Sequence, residues 1–238
     1  MLLAVAGDAW VRKLAMTTNV ADILHETRLL CSAPIADLRA VAAAARARTF
    51  RRGQVVFSAD DPGDSLIVVV SGRVKVVIRS ADGSELTLTI IRAGGVLGEL
   101  SVADGGPRSA DAETLEESEL LIVPRPVIQD ICSRVPSVAQ ALTACLAATL
   151  RRLTEATSDL VFLDLPRRVA KVLLSQPRGD DGAIRPGMSQ EELARQAGGT
   201  RQSVNAALRG FERRGWITTQ GRVVTVKQPA TLTRFAAP

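Results

Sequence analysis

The chain has 238 residues, 46% of them apolar, which is enough for two packed cores and excludes global disorder. Aromatics are only 3%, so those cores are aliphatic. The net charge of +5 is uneven: from Leu165 onward there are 13 Lys/Arg against 5 Asp/Glu, a balance of +8, and before it 17 against 20, a balance of −3. The opening "MLLAVAGDAWVRKLAM" is apolar but broken by Asp8, Arg12 and Lys13, too short to span a membrane and without a basic leader. Residues 1–19 read as an N-terminal extension, or as the product of a start codon upstream of Met16. "VADILHETRLL" and "IADLRAVAAAARAR" are Ala/Leu-rich, so residues 20–47 are expected to be helical on either side of Pro34.

The pattern then changes. Turn residues recur at Gly53, Pro62-Gly63-Asp64, Ser71-Gly72, Asp82-Gly83, Gly94-Gly95 and Gly105-Gly106. Between them lie "SLIVVV", "RVKVVIR" and "LTLTII", and "ELLIVPR" follows. Short β-branched runs at even spacing predict a sandwich or barrel. Within this region "GELSVADGGPRSA" places the acid Glu99 and the base Arg108 on either side of a tight turn, with a second acid, Asp104, leading into it. No histidine or cysteine accompanies Glu99 and Arg108 there. By themselves the two residues fit a surface ion pair as well as a ligand site.

Residues 137–163 contain no Gly or Pro, and Leu142, Leu146, Leu150, Leu153 and Leu160 fall at spacings of 4, 4, 3 and 7. This is an apolar stripe on a long helix, which either packs on its own barrel or pairs with a second copy of the chain. Pro166 is expected to end or kink it. "PRRVAKVLLSQP" is a further helix, and "GAIRPGM" a connection with strand pieces. Ser189 to Glu192 forms an S-x-x-E capping box that opens "QEELARQA", and Gly198-Gly199 stops it. Thr200 caps "RQSVNAALRGFERR", ended by Gly215. Helix, tight turn and helix make a helix-turn-helix, and "WITTQGRVVTV" reads as a hairpin wing turning at Gln220-Gly221. Arg201, Gln202, Ser203 and Asn205 begin the second helix, with Val204, Leu208 and Phe211 facing inward. A recognition helix presents its N-terminal residues to base edges in this way, and arginine is the best reader of guanine.

The order of these segments resembles the bacterial cyclic-AMP receptor protein and fumarate-nitrate regulator (CRP/FNR) transcription factors over residues 20–228. The likeness is carried by "PGDSLIVVVSGRVKV", "GELSVADGGPRSA", "FLDLPRRVAKVLL" and "TRQSVNAALRGFERRGWI", and is strongest to the actinobacterial cyclic-AMP receptors through "PRRVAKVLL" and "RGWI". It implies an α+β chain: a cyclic-nucleotide-binding β-roll, a jelly-roll-like barrel, over 20–135, a dimerisation helix over 136–164 and a winged helix-turn-helix DNA-binding domain over 165–238. It implies a cytoplasmic homodimer that binds palindromic double-stranded DNA, works with RNA polymerase, contacts no membrane and catalyses nothing.

The resemblance also implies the ligand site. Gly98, Glu99, Leu100 and Ser101, with Arg108 and Ser109, correspond to the phosphate-binding cassette. Arg108 would pair with the cyclic phosphate of cAMP, Ser109 and turn N–H groups would complete an anion nest, and Glu99 would accept from the ribose 2′-hydroxyl. Two adjacent hydroxyl residues on the long helix meet adenine in the family. Aligning on "FLDL" puts Leu153 and Thr154 there, and Leu153 lacks the hydroxyl. The effector is therefore cAMP, or else cGMP, another nucleotide or none, with the protein then constitutively active. On the DNA side Arg201 matches the family's arginine, whereas Gln202 stands for a glutamate and Ala206 for a basic residue. Glutamine prefers adenine, so the half-site is expected to keep its guanine and change beside it. Ser189, Thr200 and Ser203 are expected at phosphates.

Rival classes fare worse. An iron–sulfur sensor needs about four thiolates, and Cys31, Cys132 and Cys145 supply three scattered ones. Their odd number argues against a disulfide framework and for a reducing compartment. A haem sensor has only His25 to draw on. No metal is expected. A cyclic-nucleotide regulatory subunit that does not bind DNA is opposed by the basic C-terminal portion.

Overall fold

The computed structural model describes residues 20–176, 188–220 and 223–237. The expected N-terminal extension, most of the "GAIRPGM" connection and the second residue of the wing turn lie outside them. The described residues divide into two compact units, those of 20–81 with 88–151, and those of 82–87 with 152–237.

The first unit opens with α1 (Val20–His25) and α2 (Ile35–Ala44). Eight strands follow: β1 (Arg46–Phe50), β2 (Val55–Phe57), β3 (Ser65–Ser71), β4 (Arg73–Arg79), β5 (Glu85–Arg92), β6 (Val96–Leu97), β7 (Asp111–Thr114) and β8 (Ser118–Pro124). A short helix, α3 (Glu99–Asp104), sits between β6 and β7, and α4 (Arg125–Arg134) and α5 (Pro136–Phe162) come after β8. The strands form two four-stranded sheets, ordered β1-β8-β3-β6 and β2-β7-β4-β5. This is the β-roll that the turn spacing predicts.

The uninterrupted run "SLIVVV" has a physical reason. Leu66, Val68 and Val70 pack outward with Leu24, Leu38, Ile128, Ile131 and Val138 of the flanking helices. Ile67 and Val69 point the other way, into a second cluster with Phe50, Val74, Leu97, Ala112 and Leu120. With a side-chain period of two, a strand buried on both faces must be apolar throughout.

Two expectations are corrected. Residues 46–48, read as helix from their alanines and arginines, are the start of β1, which pairs antiparallel with β8 from Arg46↔Ile122 to Phe50↔Ser118. Four of its five residues are exposed, so pairing and not an apolar stripe fixes it. Pro166 does not end the long helix. The break falls at Leu163-Asp164, and Pro166 stands in the first turn of α6 (Leu165–Leu174), whose cap Asp164 accepts from Arg167 N–H. Proline lacks a donor that the first turn does not use.

The second unit holds α6, α7 (Gln190–Ala197), α8 (Arg201–Arg213), the antiparallel pair β9 (Ile217–Gln220) and β10 (Val223–Val226), and α9 (Pro229–Ala236). Its core joins Val169, Leu173, Leu193, Val204, Leu208, Phe211, Ile217 and Leu232. Three of the seven aromatics meet here: the Phe211, Trp216 and Phe235 rings lie 5.2 to 5.8 Å apart.

Candidate ligand and nucleic-acid sites

Arg108 is drawn inside the β-roll by its own backbone. Its N–H donates to Asp61 O and its carbonyl accepts from Asp60 N–H, both at 2.9 Å, which clasps the β2–β3 loop to the cassette. Arg108 as a whole is 3% exposed. Nη2 donates to Ser65 O at 2.8 Å and to Ser65 Oγ at 3.0 Å. The Phe57 ring lies 4.5 Å from the guanidinium carbon. The β2–β7 register shifts between Val55 and Phe57, the kind of irregularity that re-aims a side chain beside a site. Nε and Nη1 are buried with no hydrogen-bond partner. Burial lowers the Arg108 pKa from its ordinary value, while Asp64, Asp61 and Glu99 act in the opposite direction. Buried N–H groups left unmatched are costly unless an anion comes to meet them, and a guanidinium N–H makes a strong charge-assisted bond to a phosphate oxygen.

The rest of the cassette packs around that group. Gly98 caps α3 in the left-handed region. Glu99, half-buried, opens the helix, and its Oε1 accepts from Thr149 Oγ1 of α5 at 3.2 Å. The surface ion-pair reading of Glu99 and Arg108 therefore fails: Arg108 is interior and bonds to Ser65, and Glu99 bonds to Thr149. Leu100 is exposed. Ser101 is buried, and its Oγ donates to Pro107 O, closing the turn from within. Ser109 is exposed directly after Arg108. Leu153 and Thr154 follow Thr149 by about one turn along α5, half-buried and exposed respectively, and are counted with the second unit. Ser65, Phe57 and Thr149 were not anticipated. Only the hydroxyl at the start of "SLIVVV" hinted at one of them.

In the second unit the helix-turn-helix has the predicted caps. Ser189 Oγ accepts from Glu192 N–H while Glu192 Oε2 accepts from Ser189 N–H. Gly198 ends α7 in the left-handed region. Thr200 Oγ1 accepts from Ser203 N–H and shares a further bond with Ser203 Oγ. Arg201, Gln202, Ser203 and Ala206 are exposed on α8, and Val204, Leu208 and Phe211 are buried. Asn205 is half-buried in a recess of about 210 Å³ with Gln190, Leu208, Arg209, Glu212 and Thr219. Glu212 Oε1 accepts from Thr219 N–H at 2.9 Å and so ties the wing to the recognition helix. Not every basic residue faces outward: Arg168 donates to Leu163 O, Ala197 O and Gly198 O, satisfying the carbonyls that end α7.

A β-roll with a buried guanidinium short of hydrogen-bond partners, and a helix-turn-helix with a wing, are the parts of a ligand-responsive DNA-binding protein. Comparison with known proteins agrees. The cyclic nucleotide-binding domain family matches residues 47–135, and the Crp-like helix-turn-helix domain family matches residues 167–235. The chain is similar to the CRP-like cAMP-activated global transcriptional regulator of Mycobacterium tuberculosis, 39% identical over 193 residues, 79% of this chain and 86% of that one. It is similar to the cyclic AMP receptor protein of Thermus thermophilus, 33% identical, covering 79% and 87% of the two chains. The solved structure of the c-di-GMP responsive global regulator CLP of Xanthomonas campestris shares the fold, with TM-score 0.72 and 23% identity over 81% of this chain and 99% of that chain. This chain belongs to the CRP/FNR family of transcriptional regulators, with a cyclic-nucleotide-binding domain and a winged helix-turn-helix that binds DNA.

Proposed function

We propose that the protein is a homodimeric, cytoplasmic regulator that binds cAMP in the β-roll and reads a twofold-symmetric DNA site, without catalytic activity of its own. The observation that carries the ligand is the Nε and Nη1 pair of Arg108, buried and unmatched, held toward the cassette by Ser65 and Phe57. A cyclic phosphate supplies acceptors for these donors, Ser109 stands next in the chain, and Glu99 is the acceptor for the ribose 2′-hydroxyl. The names of the two bacterial relatives support cAMP as the nucleotide. The assignment of Leu153 and Thr154 to the base rests on the "FLDL" alignment, and Leu153 supplies no hydrogen bond to adenine. Arg201 reads guanine, Gln202 and Asn205 read beside it, and Ser189, Thr200 and Ser203 contact phosphates. Nucleotide binds the DNA-competent arrangement of the dimer more tightly and so favours it. The regulator then acts on RNA polymerase at the promoter.

Calorimetric titration of wild type and Arg108→Leu with cAMP and cGMP tests the ligand. Loss of Arg108 leaves a desolvated phosphate unpaired and is expected to cost roughly 2–5 kcal/mol. Equal affinity of the two proteins overturns the reading. Tighter binding of cGMP than cAMP overturns the choice of base.

A further inference from the structure

Three of the four threonines on α5, Thr143, Thr149 and Thr157, show two behaviours. Thr143 Oγ1 donates to Ala139 O at 3.0 Å and Thr157 Oγ1 to Leu153 O at 2.8 Å, the ordinary back-bond to the preceding turn of a helix. Thr149 does not follow them. Its hydroxyl turns away from its own helix and donates to Glu99 Oε1, 50 residues earlier in the chain. A threonine hydroxyl has one hydrogen to give, so this contact is made in place of the local one. β-Branching restricts its χ1 and so limits where Oγ1 can lie.

Glu99 needs such a partner. It is the first residue of a six-residue helix whose cap, Gly98, has no side chain to brace it. Arg108, the nearby cation, is anchored on Ser65. A carboxylate has about four lone-pair positions, so the bond from Thr149 fixes its orientation and still leaves positions for an incoming hydroxyl.

We infer that Thr149 is a positioning residue of the nucleotide site: it holds the Glu99 carboxylate in the orientation that accepts a ribose 2′-hydroxyl, and makes the long helix part of the cassette. This rests on the nucleotide reading proposed above. It specifies that the site selects a ribonucleotide through a chain of contacts running from ligand to Glu99 to α5. Removing the Thr149 hydroxyl then weakens only ligands that carry the 2′-hydroxyl.

The test is calorimetric titration of the full-length protein with cAMP and with 2′-deoxy-cAMP, for wild type, Thr149→Val, Thr149→Ser and Arg108→Leu. Valine keeps the shape of threonine without its donor, and serine restores the donor. Thr149→Val is expected to weaken cAMP about tenfold, the scale of one hydrogen bond to a charged group. It should change 2′-deoxy-cAMP less than about twofold, because the bond at stake is absent there. Thr149→Ser should bind both as wild type does. Unchanged cAMP affinity in Thr149→Val, or equal losses for the two nucleotides, overturns the role of Thr149. If Arg108→Leu abolishes binding while Thr149→Val behaves as wild type, that role alone fails. If Arg108→Leu binds as tightly as wild type, or wild type binds neither nucleotide, the cassette reading fails with it.

Discussion

Gly98 has no Cβ, and Arg108 occupies the space where one would stand. A methyl built there would lie 2.0 Å from Arg108 Nη1 and 3.0 Å from Ser65 O, and the backbone φ of +80° is one that L side chains rarely adopt. Gly98→Ala is therefore expected to push Arg108 off its anchor and to strain the turn by about 1–2 kcal/mol. Its melting temperature should fall by a few degrees, and its cAMP affinity should fall toward that of Arg108→Leu. A variant that melts lower but binds normally would show that Nη1 does not need that space. The motif around this residue was readable because it is local: "GELSVADGGPRSA" carries Glu99, Arg108 and the glycines in 13 consecutive residues. What braces it was not. Ser65 is 43 residues from Arg108 and Thr149 is 50 from Glu99. Each looks like an ordinary strand or helix residue until the chain closes.

Elements were legible where their own residues dictate them. The capping box at Ser189, the left-handed Gly198 and the cap at Thr200 all rest on side chains within four residues of the helix they bound. β1 was misread because its stability comes from β8, with an alanine-rich helix running straight into it. α4 and α9 are short, and each follows closely on a strand with no side-chain cap to mark its start. The charge asymmetry was partly misleading too, since Arg168 is consumed in closing α7. Ala206 is exposed on α8 and has no hydrogen bond to offer a base edge. Arg201→Ala should cost about 1–3 kcal/mol per half-site and relax the preference for guanine at one position. A footprint with systematic base substitution measures this. Identical base preferences in wild type and Arg201→Ala would mean that Arg201 does not read sequence.

At the scale of the whole molecule, α5 is the element that one copy of the chain does not explain. It runs for 27 residues, and Val138 is the only one among them that is fully buried. Leu150 is 66% exposed, and Val161 and Phe162 are 68% and 72% exposed. No single helix among the described residues is long and apolar enough to cross a membrane. Each large apolar side chain left in water forgoes roughly 1.5–3 kcal/mol of burial. A helix stripe at spacings of three and four seats naturally against its own copy about a twofold axis. Sedimentation velocity at micromolar concentration should therefore show a species of about twice the chain mass of 25.3 kDa. Leu150→Glu places a charge in that seam and should shift the population toward monomer while leaving the melting of each unit near that of wild type. The consequence reaches DNA. A dimer presents two recognition helices to successive major grooves about 34 Å apart, so both half-sites are held at once. The monomeric variant should bind a single half-site with the same base preference and lose the added affinity of the second. A wild-type chain that sediments as a monomer with and without nucleotide, or a Leu150→Glu variant that stays dimeric and binds the full site unchanged, would remove α5 from the interface.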